Sequence, residues 1–338
     1  MTAGRRALVV AAALLLPACG AMDWMDDPRS HQARQLATLS WVATLAFAAV
    51  CLVVWLLIGY VVARARRGTL AERGTVDSRD GMGWIYLWGL VIPGVLFAAA
   101  LIASITMMFA ASEHMHGEHQ APAITITGHQ WWWEVHYHGP TPADGFVTAN
   151  EIHIPVGRDV LVRLRSADVI HSFWVPKLSG KVDLVPARDN HIMLHADTPG
   201  VYEGQCAEFC GAEHAMMRIV VVAEPEAEYQ AWRFVQHAPA VLPRHEPEVR
   251  GLEVFEQKAC SLCHTIRGTE AHGTVGPDLT HVGGRLMIAA NTYPNDRAHL
   301  QAWITRPHSL KPQMRMPNLF DITGEDLNAL AIFLGSLR

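Results

Sequence analysis

Two uninterrupted apolar runs decide most of what this chain can become. Between Arg34 and Arg64 lie 29 residues without a charge, and between Asp80 and Glu113 lie 32 more. A bilayer core takes roughly 20 apolar helical residues, so each run can cross with ends to spare. Hydrocarbon offers no water to satisfy peptide groups, so an isolated crossing segment there must be a helix. The expectation is a membrane segment over residues 35–112, with helices at about 36–62 and 84–110. The loop between the runs carries Arg64, Arg66, Arg67, Arg73 and Arg79, and after the second run no Lys or Arg follows until Arg158. Basic loops stay cytoplasmic, which puts everything after residue 112 outside the cell membrane. Trp41, Trp84 and Trp88 lie near the run ends, where interfacial aromatics belong. Cys51 falls in mid-membrane and reads as packing.

The N-terminus fits that orientation. Arg5 and Arg6 precede the apolar run Ala7–Leu16 and then Pro17-Ala18-Cys19-Gly20. A basic start, a short apolar stretch and a small-residue site describe a secretory signal over residues 1–19. Leu16-Pro17-Ala18-Cys19 also resembles a bacterial lipoprotein box, in which Cys19 would be lipidated; a plain signal with an incidental cysteine is the alternative. The chain therefore reads as a two-pass protein of the bacterial inner membrane with its later domains on the periplasmic side. Half of the 338 residues are hydrophobic and only 17% are charged. The net charge of −5 argues against nucleic acid as a partner.

Of six cysteines, four form two tight pairs, Cys206/Cys210 and Cys260/Cys263. The first pair lies in Cys206-Ala-Glu-Phe-Cys210-Gly-Ala-Glu-His214-Ala-Met-Met217, with His171 available upstream. Thiolate, thioether and imidazole together select soft metals, and a Met donor favours electron-transfer copper over zinc. A disulfide and a mononuclear copper or zinc site are the plainer readings of the same residues. Around them, Ile124-Thr-Ile-Thr, Glu151-Ile-His-Ile-Pro, Val160–Arg165 and His191–His195 alternate apolar with polar residues between turn signals. Short alternating strands at that spacing indicate a β-sandwich or barrel.

The donor set resembles the binuclear CuA centre of cytochrome c oxidase subunit II, in a cupredoxin-like β-sandwich over residues 121–223. The resemblance implies His171, Cys206, Cys210, His214 and Met217 as copper ligands, with the main-chain carbonyl of Glu208 as a further one. It implies that the Glu208 carboxylate faces a magnesium site shared with subunit I, a hard acid–base match. In Gly128-His-Gln-Trp131-Trp132-Trp133-Glu134, the first aromatic matches the family's surface point of electron entry, Trp131. Trp132 and Trp133 are expected to pack, closing the sandwich base near the membrane. Asp168 and Asp183 resemble family acids near the subunit I interface.

Residues 224–246, rich in Glu and Pro, read as a linker, helical around Glu226–Val235 and stiffened by proline beyond. Cys260-Ser-Leu-Cys263-His264 is the c-type haem attachment sequence: two thiols for thioethers and His264 for an axial position. Met287, Met314 and Met316 compete for the other axial position. Lys311-Pro312-Gln-Met-Arg-Met316-Pro317 resembles the cytochrome c pattern in which the Met before Pro is axial, which favours Met316. In Gly276-Pro277, the family's Pro carbonyl accepts the axial His N–H. An all-α cytochrome c domain over 247–338 follows, with Glu248–Lys258 and Leu327–Leu337 crossing so that Gly251 and Phe255 meet Leu330 and Phe333.

The chain from about residue 30 thus resembles subunit II of a haem-copper oxidase with a fused C-terminal cytochrome c. That implies a binuclear copper, one covalent haem c, a shared magnesium, and partnership with subunit I and the other oxidase subunits. An external donor, cytochrome c or a quinol–cytochrome c reductase, would feed haem c, then CuA, then subunit I, where oxygen is reduced and protons are pumped. The family often carries a Glu seven residues before a Pro in the second span; counting back from Pro93 lands on Tyr86, and the nearest upstream acid is Asp80. A copper-bearing nitric oxide reductase and a free-standing electron-transfer module share these features and remain as rivals. A quinol oxidase would lack the donors, and nitrous oxide reductase would need a propeller. His114, His116 and His119 look metal-like, as a copper-loading or peripheral site would, but short His-rich loops are common and an ordinary loop is the plainer reading.

Overall fold

The computed structural model describes residues 26–67, 78–113 and 121–338. The signal segment with Cys19, Arg73 of the basic loop and the His114–His119 loop lie outside the described residues. The chain divides into two units, residues 35–117 and the remainder.

In the first unit, helix α1 spans His31–Arg66, beginning in the neighbouring unit. Helix α2, Ser78–Tyr86, runs through a π-helical turn, Leu87–Val91, into α3, Ile92–Glu113. The widened turn has a local cause in Pro93, which lacks an N–H and whose ring crowds the carbonyl four residues back, at Gly89. Large apolar side chains such as Phe47, Trp55 and Phe97 stand about 70% exposed along these helices. Water would not tolerate so continuous an apolar surface, whereas lipid requires it. Tyr86, where the family pattern has its acid, closes α2.

The second unit begins with a sandwich of two five-stranded sheets. One has the order β3-β2-β1-β5-β8, built from β1 Ile124–His129, β2 Trp132–Tyr137, β3 Phe146–Ala149, β5 Val160–Ser166 and β8 Asn190–Leu194. The other has the order β4-β10-β9-β6-β7, from β4 Glu151–Pro155, β6 His171–Trp174, β7 Val182–Leu184, β9 Gly200–Cys206 and β10 Arg218–Glu224. Period-two alternation explains the facing: Val162 and Leu164 of β5 enter the core, while Arg165 points out and grips Asp189 with two 2.7 Å hydrogen bonds. Trp133, Phe173 and Ile219 are fully buried between the sheets.

Helix α4, Glu226–His237, occupies the segment expected as a linker, but it is seated on the sandwich. Its Tyr229 is buried in the sandwich core, and its Trp232 stacks on His153 with ring centres 3.9 Å apart. The following proline-rich stretch leads to the helical domain, whose Arg267 also donates to the last carbonyls of α4, Gln236 O at 2.5 Å and His237 O at 2.9 Å.

That domain contains α5 Glu248–Gln257, α6 Arg297–Thr305, α7 Pro307–Leu310 and α8 Gly324–Ser336, with a short hairpin of β11 Met287–Ile288 and β12 Tyr293–Pro294. Thr323 caps α8 by accepting from the Asp326 N–H at 3.1 Å. Helices α5 and α8 cross where Gly251 leaves room: a Cβ there would lie 2.3 Å from the Ala329 carbonyl and 2.5 Å from Phe333 Cβ. Phe255 and Phe333 meet edge to face at 6.3 Å.

The helical domain docks on the sandwich. Trp132, Ala149 and Ala290 form a small shared apolar cluster. Around it, Leu286 N–H donates to Glu151 Oε2 at 2.8 Å, Arg218 N–H to Ala290 O at 3.2 Å, and Asn291 Nδ2 to Asn150 O. Of the indoles expected to close the sandwich base, Trp133 is core, while Trp132 faces the helical domain and stacks on His129.

Candidate metal centre and haem pocket

Strands β9 and β10 form an antiparallel pair, and the loop 207–217 is the excursion between them. Its neck is closed by the Cys206 N–H donating to Met217 O at 2.9 Å. Strand β6 lies beside β9, pairing Phe173 with Cys206, and so delivers His171 from its first residue. The space for that imidazole comes from Gly128 of β1, where a Cβ would lie 2.8 Å from the ring. Gly211, with φ of +119°, turns the loop in a conformation side chains disfavour. A Cβ there would also strike the Trp131 ring at 2.9 Å.

The five side chains predicted as donors converge. Cys206 and Cys210 sulfurs lie 3.8 Å apart; His171 Nδ1 is 3.9 Å from Cys206 Sγ, and His214 Nδ1 is 3.6 Å from Cys210 Sγ. Met217 Sδ lies 3.8 Å from Cys210 Sγ, and the Glu208 carbonyl 3.2 Å from Cys206 Sγ. Both cysteines and Met217 are buried, whereas the Glu208 side chain and Phe209 project into the exterior.

Electrostatics fit a cationic occupant. Hydrogen bonding to Cys210 holds the Cys206 thiol down to about 3, against burial and with support from His171. The resulting thiolate, together with burial, pushes Cys210 well above the ordinary thiol range. Two adjacent sulfurs therefore ionise together only beside added positive charge, as a thiolate-binding metal provides. His171 is disfavoured as a cation by burial, yet Cys206 and Asp168 outweigh that and raise its pKa. The donor types and their convergence fit copper.

Asp168, read from sequence only as a family acid near an interface, accepts from His171 Nε2 at 2.8 Å. It also accepts the Gln130 N–H at 2.8 Å. Such a partner fixes the tautomer of a ligating imidazole and leaves Nδ1 for the metal. Asp183 is exposed on β7 and takes no part. Gln130 Nε2 and Trp131 Nε1 both donate to the Cys210 carbonyl, at 2.9 and 3.0 Å. Trp131 is 7% exposed: in this chain the aromatic expected at the surface is covered by the helical domain.

A cavity of about 250 Å³ lies between sandwich and helices, lined by Cys260, Cys263, His264 and Met316 on one side and Trp131 and Trp132 on the other. Cys260 and Cys263 flank one 3-10 turn, with His264 N–H donating to Cys260 O at 3.0 Å. His264 Nδ1 meets the Pro277 carbonyl at 2.8 Å, which leaves Nε2 as the ring's acceptor. Burial lowers the His264 pKa, favouring the neutral ring a metal requires. Gly276 permits this approach, since a Cβ there would lie 2.6 Å from His264 Cε1. Met287, Met314 and Met316 all reach the cavity, but Met314 also packs on the sandwich core. A thiol pair, one neutral imidazole and apolar walls with a thioether fit haem c.

Sequence reasoning missed one further residue. Lys311 of the Lys-Pro motif has no solvent exposure and donates from Nζ to Met216 O at 2.8 Å, Ala289 O at 3.3 Å and Trp131 O at 3.4 Å. Its only sequence signal is its place five residues before Met316.

Residues 142–224 match the family described as cytochrome c oxidase subunit II, periplasmic domain, and residues 248–338 match cytochrome c. Cytochrome c oxidase subunit 2 of Alkalihalophilus pseudofirmus is 36% identical over 316 residues, covering 92% of this chain and 90% of that protein. The Bacillus subtilis subunit 2 is 26% identical over 342 residues, covering 96% and 95%. The periplasmic domain of Bradyrhizobium japonicum oxidase subunit II aligns at 31% identity over 33% of this chain and 91% of that one, with a TM-score of 0.32. The first domain implies CuA copper and the second haem c. Donor loop, haem pocket and near full-length similarity agree: the chain belongs to the cytochrome c oxidase subunit II family, as a member with a fused cytochrome c domain.

Proposed function

We propose that this chain is the electron-entry subunit of its oxidase, with both redox sites and the contact between them built into one polypeptide. His171, Cys206, Cys210, His214, Met217 and the Glu208 carbonyl would hold the copper; Cys260 and Cys263 would hold the haem through their sulfurs, and His264 and Met316 would offer it a ring nitrogen and a thioether. When bound, the two groups supply reversible one-electron storage, and the protein supplies spacing, potential and exclusion of water. The observation that carries this reading is the single cavity with the Cys-x-x-Cys-His residues on one wall and Trp131 on the other, Trp131 being hydrogen-bonded to the Cys210 carbonyl. Because the helical domain covers Trp131, an external cytochrome c or a quinol–cytochrome c reductase meets the haem domain first.

The protruding Glu208–Phe209 tip is suited to subunit I, with the Glu208 carboxylate available to a shared magnesium ion. The N-terminal signal and Cys19 lipidation would place the protein in the bacterial inner membrane with both domains periplasmic. With Tyr86 where the family carries its acid, proton uptake for pumping is assigned to the partner subunits.

Visible, near-infrared and EPR spectroscopy of the purified chain tests the reading. A mixed-valence dicopper signal together with a c-type haem band is the expected result. Absence of either would remove the corresponding site.

A further inference from the structure

Lys311 is a fully buried cation, which proteins accept only with compensation. An ammonium has three protons to donate, and here three main-chain carbonyls receive them: Met216, Ala289 and Trp131. Met216 and Trp131 belong to the sandwich, and Ala289 to the helical domain. Close by, the buried Glu213 carboxylate accepts the Gln313 N–H at 3.3 Å, so the Lys311 segment is held from two sides. Arg315 adds a 3.1 Å contact to Gln130 Oε1. The fastened carbonyls are not arbitrary. Met216 immediately precedes the copper donor Met217, and Trp131 lies between cavity and copper loop. Lys311 itself shares its segment with Met316.

We propose that Lys311 is a positioning residue that pins the haem-bearing segment to the copper loop, joining the stretch of Met316 to the turn of Met217 and keeping a positive charge beside the copper site. The inference rests on Met217 and Met316 being the ligands, which the spectra of the unaltered chain test separately. Burial lowers the Lys311 pKa to about 8, while Glu213 and Cys210 pull it upward, so the side chain remains largely charged at neutral pH. A fixed cation near a redox site favours its electron-rich state. Removing it shifts the sharing of one electron between the two sites toward the haem.

The test uses the assembled oxidase with Lys311→Met, which keeps an unbranched side chain one atom shorter and removes its charge and donors. The electron-sharing equilibrium between haem c and copper should move about tenfold toward the haem. Equilibration between the two sites should slow, and the copper EPR pattern should change as Met217 loosens. Correct spectra with an unchanged equilibrium and rate would overturn the proposal. A second measurement needs no variant: acylation of lysines in the unaltered oxidase, read by mass spectrometry. Lys311 should react about a hundredfold more slowly than the exposed Lys181. Equal labelling would show that the pin is open, and the proposal would fall even where Lys311→Met does not assemble.

Discussion

Replacing Asp168 by Asn asks how much of the copper site is built outside its ligands. The carboxylate accepts three N–H groups: His171 Nε2 at 2.8 Å, Val169 N at 2.7 Å and Gln130 N at 2.8 Å. Burial pushes its pKa up, but those hydrogen bonds outweigh burial and hold it below the usual carboxylate value. Asparagine has one accepting oxygen and one NH2 group. If the oxygen keeps His171 and Val169, the NH2 faces the Gln130 N–H; if it turns, the NH2 faces the imidazole N–H. The first orientation leaves one donor without its partner and the second leaves two, since His171 and Val169 share one carboxylate oxygen. Losing a charge-assisted hydrogen bond costs about 1.5–3 kcal/mol, and partners of ligating histidines typically contribute about 10–100-fold in metal affinity. The two scales agree, since tenfold is about 1.4 kcal/mol. Copper titration against a competing chelator, followed in the near-infrared, should therefore show affinity weakened by about one to two orders of magnitude. The haem band serves as internal control, because Asp168 does not line the haem cavity. An Asp168→Asn chain that binds copper within about twofold of the original would refute the argument.

Further consequences follow from single positions. Gly276→Ala places a Cβ 2.6 Å from His264 Cε1, so the ring must move and its 2.8 Å bond to Pro277 O must break. The haem should stay attached through its thioethers but lose its low-spin optical signature, and a normal spectrum would contradict the geometry. Gly251→Ala meets main-chain atoms of α8 that cannot step aside, so the haem domain should lose at least about 1–3 kcal/mol of stability in denaturant titration. The copper signal should persist, and equal loss in both domains would count against separate cores. His153 lies between Glu151 and Glu224, each at 3.0 Å; burial opposes its charge, yet the two carboxylates win and raise its pKa. A raised histidine pKa contributes stability that is complete below the unfolded value of about 6.5 and is lost as pH rises through the folded value. Sandwich stability should therefore decline from about pH 6.5 upward, and His153→Gln should flatten that slope in thermal unfolding. A slope that survives the substitution would place the titration elsewhere.

What could be read in the sequence was local. The charge-free runs, the Cys-x-x-Cys-His motif and the alternation of Val160–Arg165 each state their meaning within a few residues. The donors of loop 207–217 are equally compact, with His171 available as a further imidazole upstream. The Lys311–Trp131 and Asn291–Asn150 contacts, by contrast, join residues more than 140 positions apart, and no periodicity encodes them. Lysine normally marks a solvated surface, so Lys311 read as an unremarkable member of its motif until three carbonyls were found around it. The same holds for α4: its Glu-rich composition suggested a linker, and only the stacking of Trp232 on His153 showed which surface it serves.

The covered Trp131 is where the missing long-range information alters function most. Were Trp131, the proposed point of electron entry, a surface aromatic, it would admit any soluble donor with a complementary face. Here it is buried beneath a domain fixed by hydrogen bonds from Leu286, Asn291, Arg218 and Lys311. A tethered but undocked haem domain would leave that aromatic in competition between its own haem and outside donors. A docked one removes the competition and converts a bimolecular encounter into a fixed geometry, the usual gain of holding two reacting groups together. On the proposed electron path, specificity for the external donor passes to the haem domain's exposed face, and substitutions at Trp131 should alter internal electron flow while leaving donor affinity unchanged.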